Sequence, residues 1–226
     1  MVITFPSILG SLVCLRSWGF RPKLAVDVGA YHGDWTRLFK QVFPESAVVM
    51  VEAQEQKRPI LESVCQSFPG DVSYQMALLA RQEGTPVRFV EMETGSSVFE
   101  EASPYPRHVV EKTARTLDGL LAEAAARVDF LKLDVQGYEL EVLAGAPQSL
   151  KSAKAVLMEA SLLGANAGCP LIFDVMKFMD AAGFRLADFC SQIRRRDGAL
   201  WQTDLLFVRA DAGLLPDPKL TAGNWG

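Results

Sequence analysis

Two histidines and four cysteines in 226 residues leave little material for a metal centre. Cys14, Cys65, Cys169 and Cys190 stand far apart with no Cys-x-x-Cys pair. Such spacing builds neither a zinc site nor a disulfide framework, so the expectation is reduced thiols in a cytoplasmic chain with no metal. A basic excess is also missing. The 23 Lys and Arg face 27 Asp and Glu, a net charge of −4, which gives no general attraction for a phosphodiester backbone and argues against nucleic acid as partner. Long apolar runs are lacking too. Residues 2–18 are apolar-rich, but Pro6 and Arg16 interrupt them and no basic segment precedes them. That run is too short to span a bilayer and reads as a helix packed on the domain in preference to a membrane-surface anchor.

What is present suffices for a sizeable core: 49% of the residues are hydrophobic, at a length typical of one α/β domain. The expected layout is a single domain over 1–226, with an N-terminal helical extension over 1–20 and a loose tail over 211–226. The stretch Ala25-Val-Asp-Val-Gly-Ala-Tyr-His-Gly-Asp-Trp35 organises it. A β-branched run ends in Gly29, a second glycine follows at 33, and Trp35, Leu38, Phe39, Val42 and Phe43 then recur at helical spacing. This predicts strand, tight turn and helix. Gly29 supplies unusual backbone dihedrals, and Gly33 removes a side chain where a ligand approaches the helix's free N–H groups. Asp34 is placed as N-cap or first-turn acid. Ala47–Glu52 is a second apolar strand, and an acid at that strand end accepts hydrogen bonds from ribose hydroxyls in doubly wound folds.

Ile60, Leu61, Val64, Cys65 and Phe68 predict a crossover helix, 72–79 a third strand and 86–92 a fourth. From Glu93 to Lys112 the periodicity stops. That length of irregular chain, carrying Ser96, Ser97 and His108, reads as a substrate-facing loop. The two serines suit turn formation or hydrogen bonds to a cofactor or acceptor. A short helix is expected near Asp118. Val128–Val135 is a central strand with Asp134 at its carboxyl end, where ligands sit in open α/β sheets. Alternation puts Phe130, Lys132 and Asp134 on one side, so Lys132 lies deep and needs a partner. Asp27 is the reachable one if this strand neighbours the first. Ala155–Glu159 is a further buried strand ending in an acid, 171–179 a helix, and Arg185–Arg195 and Ala199–Arg209 flank the hairpin signal Asp197-Gly198. Asp134, Glu139 and Glu159 do not match a metal-ligand spacing. Arg194–Arg196 reads as a solvated sheet edge in preference to a phosphate site.

The segments VDVGAYHGDW, MVEA, TLDGLL, LKLDVQGYELEVLAGA and VLMEAS, in that order, resemble the FkbM family of S-adenosylmethionine-dependent methyltransferases. The likeness spans roughly residues 20–210, and Lys132, Asp134, Gly137 and Glu139 followed by Leu-x-Gly-Ala carry its most specific part. It implies a class I methyltransferase fold: a doubly wound, mainly parallel Rossmann-like sheet closed by an antiparallel C-terminal hairpin. It implies S-adenosylmethionine as cofactor and O-methylation of a hydroxyl on a sugar, glycan or secondary metabolite. Asp27, Gly29, Ala30 and Gly33 would then hold the aminocarboxypropyl end, Glu52 the ribose, and Met76 with Ala77 the adenine. Asp134 is the first candidate for general base or acceptor-orienting group, followed by Glu159 and His108. Glu139 is either a favourable first-turn acid or a substrate contact. Two other classes remain open. A nicotinamide-dependent oxidoreductase would share the ribose acid but would want a three-glycine turn and a Tyr–Lys relay; a cofactor-binding module would lack catalysis.

Overall fold

The computed structural model describes residues 5–92, 96–99, 108–122, 127–164, 168–216 and 219. They form α1 (Ile8–Ser17), β1 (Leu24–Val28), α2 (Asp34–Val42), β2 (Ala47–Glu52), α3 (Arg58–Ser67) and β3 (Val72–Met76). There follow β4 (Pro86–Glu91), β5 (His108–Thr113), α4 (Leu117–Ala122), β6 (Phe130–Leu133), α5 (Glu139–Ala144) and α6 (Pro147–Ser152). The last third comprises β7 (Ala155–Ser161), α7 (Ile172–Ala181), β8 (Phe184–Phe189), β9 (Ile193–Arg194) and β10 (Leu200–Arg209).

The main sheet has the order β3-β2-β1-β6-β7-β10-β8, with β9 pairing on β10. The first five strands of that order are parallel, and β10 enters antiparallel between β7 and β8. This is the doubly wound, mainly parallel α/β fold with an antiparallel C-terminal element. The chain reverses direction across the sheet between β1 and β6, so the carboxyl ends of those two strands form the crevice where such folds bind ligands.

Strand alternation sorts the core into two layers. Ala25 and Phe130 pack toward α1, α2 and α3, where Leu12, Phe39 and Leu61 are buried. Val26 and Leu131 pack toward α4 to α7, among Leu121, Val142 and Met179. Ser7 caps α1, its hydroxyl accepting the Gly10 N–H at 3.1 Å, and Leu12 and Leu15 bury the helix against the sheet layer. The N-terminal helix is thus a packed element. No helix among the described residues is long and apolar enough to cross a membrane.

Three expectations change. His108–Thr113, expected inside an irregular loop, is strand β5, paired antiparallel with β4 in a separate two-stranded sheet. Its residues alternate between exposed and half-buried, so no apolar period announces it. Residues 93–95 and 100–107 of that loop, with 217, 218 and 220–226 of the expected tail, lie outside the described residues. The third strand stops at Met76, and Leu79 keeps only an isolated bridge to Arg115. The arm expected over Arg185–Arg195 is broken into β8 and β9. Between them Ser191 takes the Asp204 N–H on its hydroxyl and the Thr203 hydroxyl on its carbonyl, diverting the chain from ladder pairing.

Gly33 sits in the left-handed region at φ +72, and a Cβ there would lie 2.8 Å from Val64 Cγ2. Its missing side chain makes room for α3, a packing reason that the local turn does not announce. Gly29 has a stricter requirement. At φ +73 a Cβ would stand 1.9 Å from the carbonyl oxygen of Asp134, so glycine is what lets the ends of β1 and β6 close on one another.

Candidate active site

The crevice is built on an ion pair. Lys132, on β6, places its ammonium 3.1 Å from Asp27 Oδ1 on β1 and donates to the Gly29 carbonyl at 3.0 Å. Asp27 is 0% exposed. Its Oδ2 accepts the Thr36 hydroxyl at 2.7 Å, and its Oδ1 has the ammonium for a neighbour without a directed hydrogen bond. Burial pulls the Lys132 pKa down, but the charges of Asp27 and Asp134 outweigh it and hold the ammonium well above its ordinary range. Asp27, expected to touch a cofactor, is therefore sealed beneath the turn, and it positions the site from below.

Above this pair the strand-end turns carry strained backbone. Tyr31 and Gln136 are the non-glycine residues at positive φ among the described residues, at 48° and 54°. One follows β1 and the other β6. Strain of this kind persists only where the surroundings over-determine it, and it concentrates at functional sites. Contacts on its backbone and its ring hold Tyr31 in place. Its N–H donates to Glu52 Oε2 at 2.7 Å, its ring stacks on His32 at 3.8 Å, and the Lys57 ammonium lies 4.1 Å over the ring.

Glu52 ends β2 as expected and is buried in the wall of a cleft. Burial raises its pKa, opposed by N–H donors from Gln54, Tyr31 and Ala53 and by the charge of Lys132. Gly29 and Val28 contribute the floor; Ala77, Leu78 and Leu79 contribute an apolar wall after β3. Phe89 of β4, Val98 and Tyr138 close the opposite side. Ala77 thus lines the cleft, whereas the half-buried Met76 packs with the core layer under α1 to α3. Ser96 also lines it, with its hydroxyl engaged to the Met92 backbone. Ser97 is buried, its hydroxyl donating to the Gln136 carbonyl at 2.9 Å and accepting the Phe99 N–H. It ties the segment after β4 to the turn after β6.

Asp134 stands at the rim of this cleft with its side chain 39% exposed. Its Oδ1 accepts the Gln136 amide at 3.0 Å and its Oδ2 lies 3.7 Å from Lys132. It also lines a second cavity that shares Gly29 and Tyr31 with the first. Ala30 and Glu159 face that second cavity; Gly33 and His108 line neither. His108 opens β5 opposite Glu91, exposed on the small sheet, so the structure does not bring it to the other candidates.

Glu139, expected as a substrate contact or first-turn acid, is buried beneath the turn after β6. Its Oε1 accepts the N–H groups of Val135 at 2.9 Å and Gly137 at 3.2 Å. Burial drives its pKa up to about 7, against those N–H groups and helped by the charge of Asp134. The sign follows from linkage. An acid raised above its unfolded value near 4.5 costs nothing below that pH, and its full cost arrives once pH exceeds the folded value. Glu139→Gln keeps an acceptor oxygen and cannot ionise. The melting temperature of this variant relative to the parent should rise by about 3–6 °C between pH 4.5 and pH 8, equivalent to ~1–2 kcal/mol. A flat difference in scanning calorimetry across that range would show that Glu139 stays charged at no cost.

Sequence reasoning did not reach Gln136, Tyr138, Phe89 or Asp204. Gln136 and Tyr138 lie on either side of Gly137 inside the LKLDVQGYELEVLAGA stretch; Phe89 and Asp204 come from segments whose proximity depends on the fold.

Comparison with known proteins agrees with the architecture. A family model described as Methyltransferase FkbM domain matches residues 27–186. No curated protein matches the sequence. Among solved structures, the precorrin-6y C5,15-methyltransferase of Geobacter metallireducens GS-15 superposes with a TM-score of 0.51 at 10% identity, covering 88% of this chain and 86% of that one. An O-methyltransferase family protein from Burkholderia thailandensis gives 0.52 at 10% identity, covering 91% and 56%. TrmK of M. capricolum, solved with S-adenosyl-homocysteine, gives 0.54 at 8% identity, covering 92% and 70%. At such identities the likeness is one of fold.

Proposed function

The chain belongs to the FkbM methyltransferase domain family, and from that premise we propose that it uses S-adenosylmethionine to methylate a hydroxyl of a small sugar, glycan or secondary metabolite. That it is a methyltransferase with this cofactor follows from the family and the shared fold. The hydroxyl acceptor is our reading. One observation carries it: a cleft suited to an adenosine and a second cavity lined by carboxylates meet at Asp134.

The cleft fits the cofactor on its own chemistry. Three backbone N–H groups occupy the Glu52 carboxylate, which leaves about one of its four lone-pair sites for a ribose hydroxyl. Ala77, Leu78 and Val135 offer an apolar surface for a base. Bound S-adenosylmethionine supplies an electrophilic methyl group. The protein's own part is alignment and proton handling. An alcohol must lose its proton as the new O–C bond forms, and Asp134 is the partly exposed carboxylate at the junction, held by Gln136 with Lys132 3.7 Å away. Glu159, on the wall of the second cavity, faces the acceptor side. The net charge of −4 and the carboxylates there favour a small molecule over nucleic acid. Four free cysteines accord with a cytoplasmic location.

The deciding experiment is calorimetric titration with S-adenosylmethionine, S-adenosylhomocysteine and NAD, followed by a screen of hydroxylated acceptors. The first two should bind and NAD should not. With an acceptor in hand, Asp134→Asn, which keeps the acceptor oxygen for Gln136, should retain cofactor affinity and lose about 10²- to 10⁴-fold in kcat. NAD binding alone would move the protein to the oxidoreductase class. Silence from all three would make it a non-catalytic module, and full turnover by Asp134→Asn would remove Asp134 as base.

A further inference from the structure

The second cavity holds more information than its position. It is a half-open pocket of about 270 Å³, well beyond the space one water needs, so it admits a molecule of ring size. Its apolar walls come from distant parts of the chain: Ile8 of α1, Trp35 of α2, Leu157 of β7 and Ile193 of β9. Its polar walls are dominated by one sign. Asp34, Asp134, Glu159 and Asp204 face Lys132, and Lys132 is already engaged by Asp27 and the Gly29 carbonyl.

Two of those carboxylates are placed against each other. Glu159 on β7 and Asp204 on β10 are direct partners across the antiparallel ladder, an arrangement that like charges make unfavourable. Glu159 is 8% exposed, yet both of its amide donors, from Gln136 at 3.3 Å and Gln202 at 2.6 Å, converge on Oε1. Burial and the charges of Asp134, Glu139 and Asp204 all push the Glu159 carboxyl upward, with Lys132 opposing. Asp204 is likewise raised, first by burial. A cation between the two would relieve this repulsion, and no further Lys or Arg among the described residues lines the cavity.

Glu159 has an acceptor to spare: both amides fall on Oε1, while Oε2 accepts no hydrogen bond among the described residues and is open to the cavity. Among the described residues only two buried side-chain polar atoms lack a hydrogen-bond partner, Asp27 Oδ1, which has its ammonium, and the indole nitrogen of Trp35. Trp35 is 8% exposed and belongs to the cavity wall. That nitrogen is sealed inside the wall and is not open to the cavity.

We infer that this cavity is the acceptor site and that it selects a cationic amino alcohol of ring size, an amino sugar or aminocyclitol, with its ammonium held between Glu159 and Asp204. The inference rests on the reading that S-adenosylmethionine occupies the neighbouring cleft. It also explains a preference for oxygen as nucleophile. An ammonium held by carboxylates keeps its proton and has no lone pair to methylate, while a hydroxyl near Asp134 loses its proton to that group.

The test uses the whole chain saturated with S-adenosylhomocysteine, titrated with two matched pairs, glucosamine against glucose and 2-deoxystreptamine against myo-inositol. In at least one pair the amine should bind about tenfold or more tightly than its neutral counterpart, as expected for one charge-assisted contact. That preference should fall below about threefold in Glu159→Gln, in Asp204→Asn or in both, with S-adenosylhomocysteine affinity unchanged. Equal affinities within both pairs, binding of none of the four, or a preference intact in both variants would overturn the inference. Failure of S-adenosylhomocysteine to bind the parent protein is read in the first titration and would instead strike the cofactor assignment.

Discussion

Lys132→Met should lower the stability of the folded protein by about 3–5 kcal/mol, the cost of leaving a buried carboxylate without its partner. Methionine fills the volume of the lysine stem, so the loss reads the charge and not a cavity. What remains is Asp27, fully buried, with the Thr36 hydroxyl on one oxygen and nothing charged beside the other. Two further results should accompany the loss. Acidification should recover part of it as the orphaned carboxyl takes up a proton, and Asp27→Asn in the same chain should recover more, because Asn still accepts the Thr36 hydroxyl while no charge is left buried. Urea unfolding of the two single variants, the double variant and the parent gives the coupling directly. Independent, additive losses would mean that Lys132 and Asp27 do not act as a pair, and an unchanged acid titration of Lys132→Met would say the same.

That pair was legible in the sequence for a simple reason. The period of two in a strand fixes which residues share a side, and a lysine within an apolar central strand has to find a carboxylate. The same logic placed Glu52 at the end of β2 and Gly29 at the exit of β1, because both follow from strand ends and turn geometry within a dozen residues. Legibility failed wherever the determining contact is long-range. Gly33 owes its missing side chain to Val64 on the next helix, which nothing in the local turn announces. β5 has almost no apolar alternation, since its small sheet leaves much of it exposed. Asp204 sits inside an apolar run whose neighbour across the ladder is known only once β10 is seen to enter between β7 and β8. The second cavity draws on Ile8, Trp35, Leu157 and Ile193, four positions that no spacing rule connects. A cofactor cleft made of consecutive strand ends is readable from motifs; a cavity made by packing separate ends of the chain is not.

Glu52→Ala should weaken S-adenosylhomocysteine binding by about 10²-fold, ~2.7 kcal/mol. The carboxylate is engaged on both oxygens: Oε2 by the Tyr31 N–H at 2.7 Å, Oε1 by the Ala53 and Gln54 N–H groups at 2.9 Å each. Removing it takes away the remaining acceptor position for a ribose hydroxyl and also one of the anchors of the Tyr31 backbone, which sits at φ 48°. Direct contact and lost preorganisation therefore add in the same direction. Glu52→Gln separates them. It keeps one acceptor oxygen but turns an amide donor toward at least one backbone N–H, so it should lie between parent and alanine, about tenfold weaker than the parent. The single free lone-pair position makes a further demand: 2′-deoxy and 3′-deoxy analogues of S-adenosylhomocysteine should lose affinity unequally for the parent protein, and the difference should vanish in Glu52→Ala. Folding should suffer less than binding, because burial already disfavours the ionised form of Glu52. Calorimetric affinity within threefold of the parent, at an unchanged melting temperature, would show that the acid at the end of β2 serves the fold and leaves the cofactor to other groups.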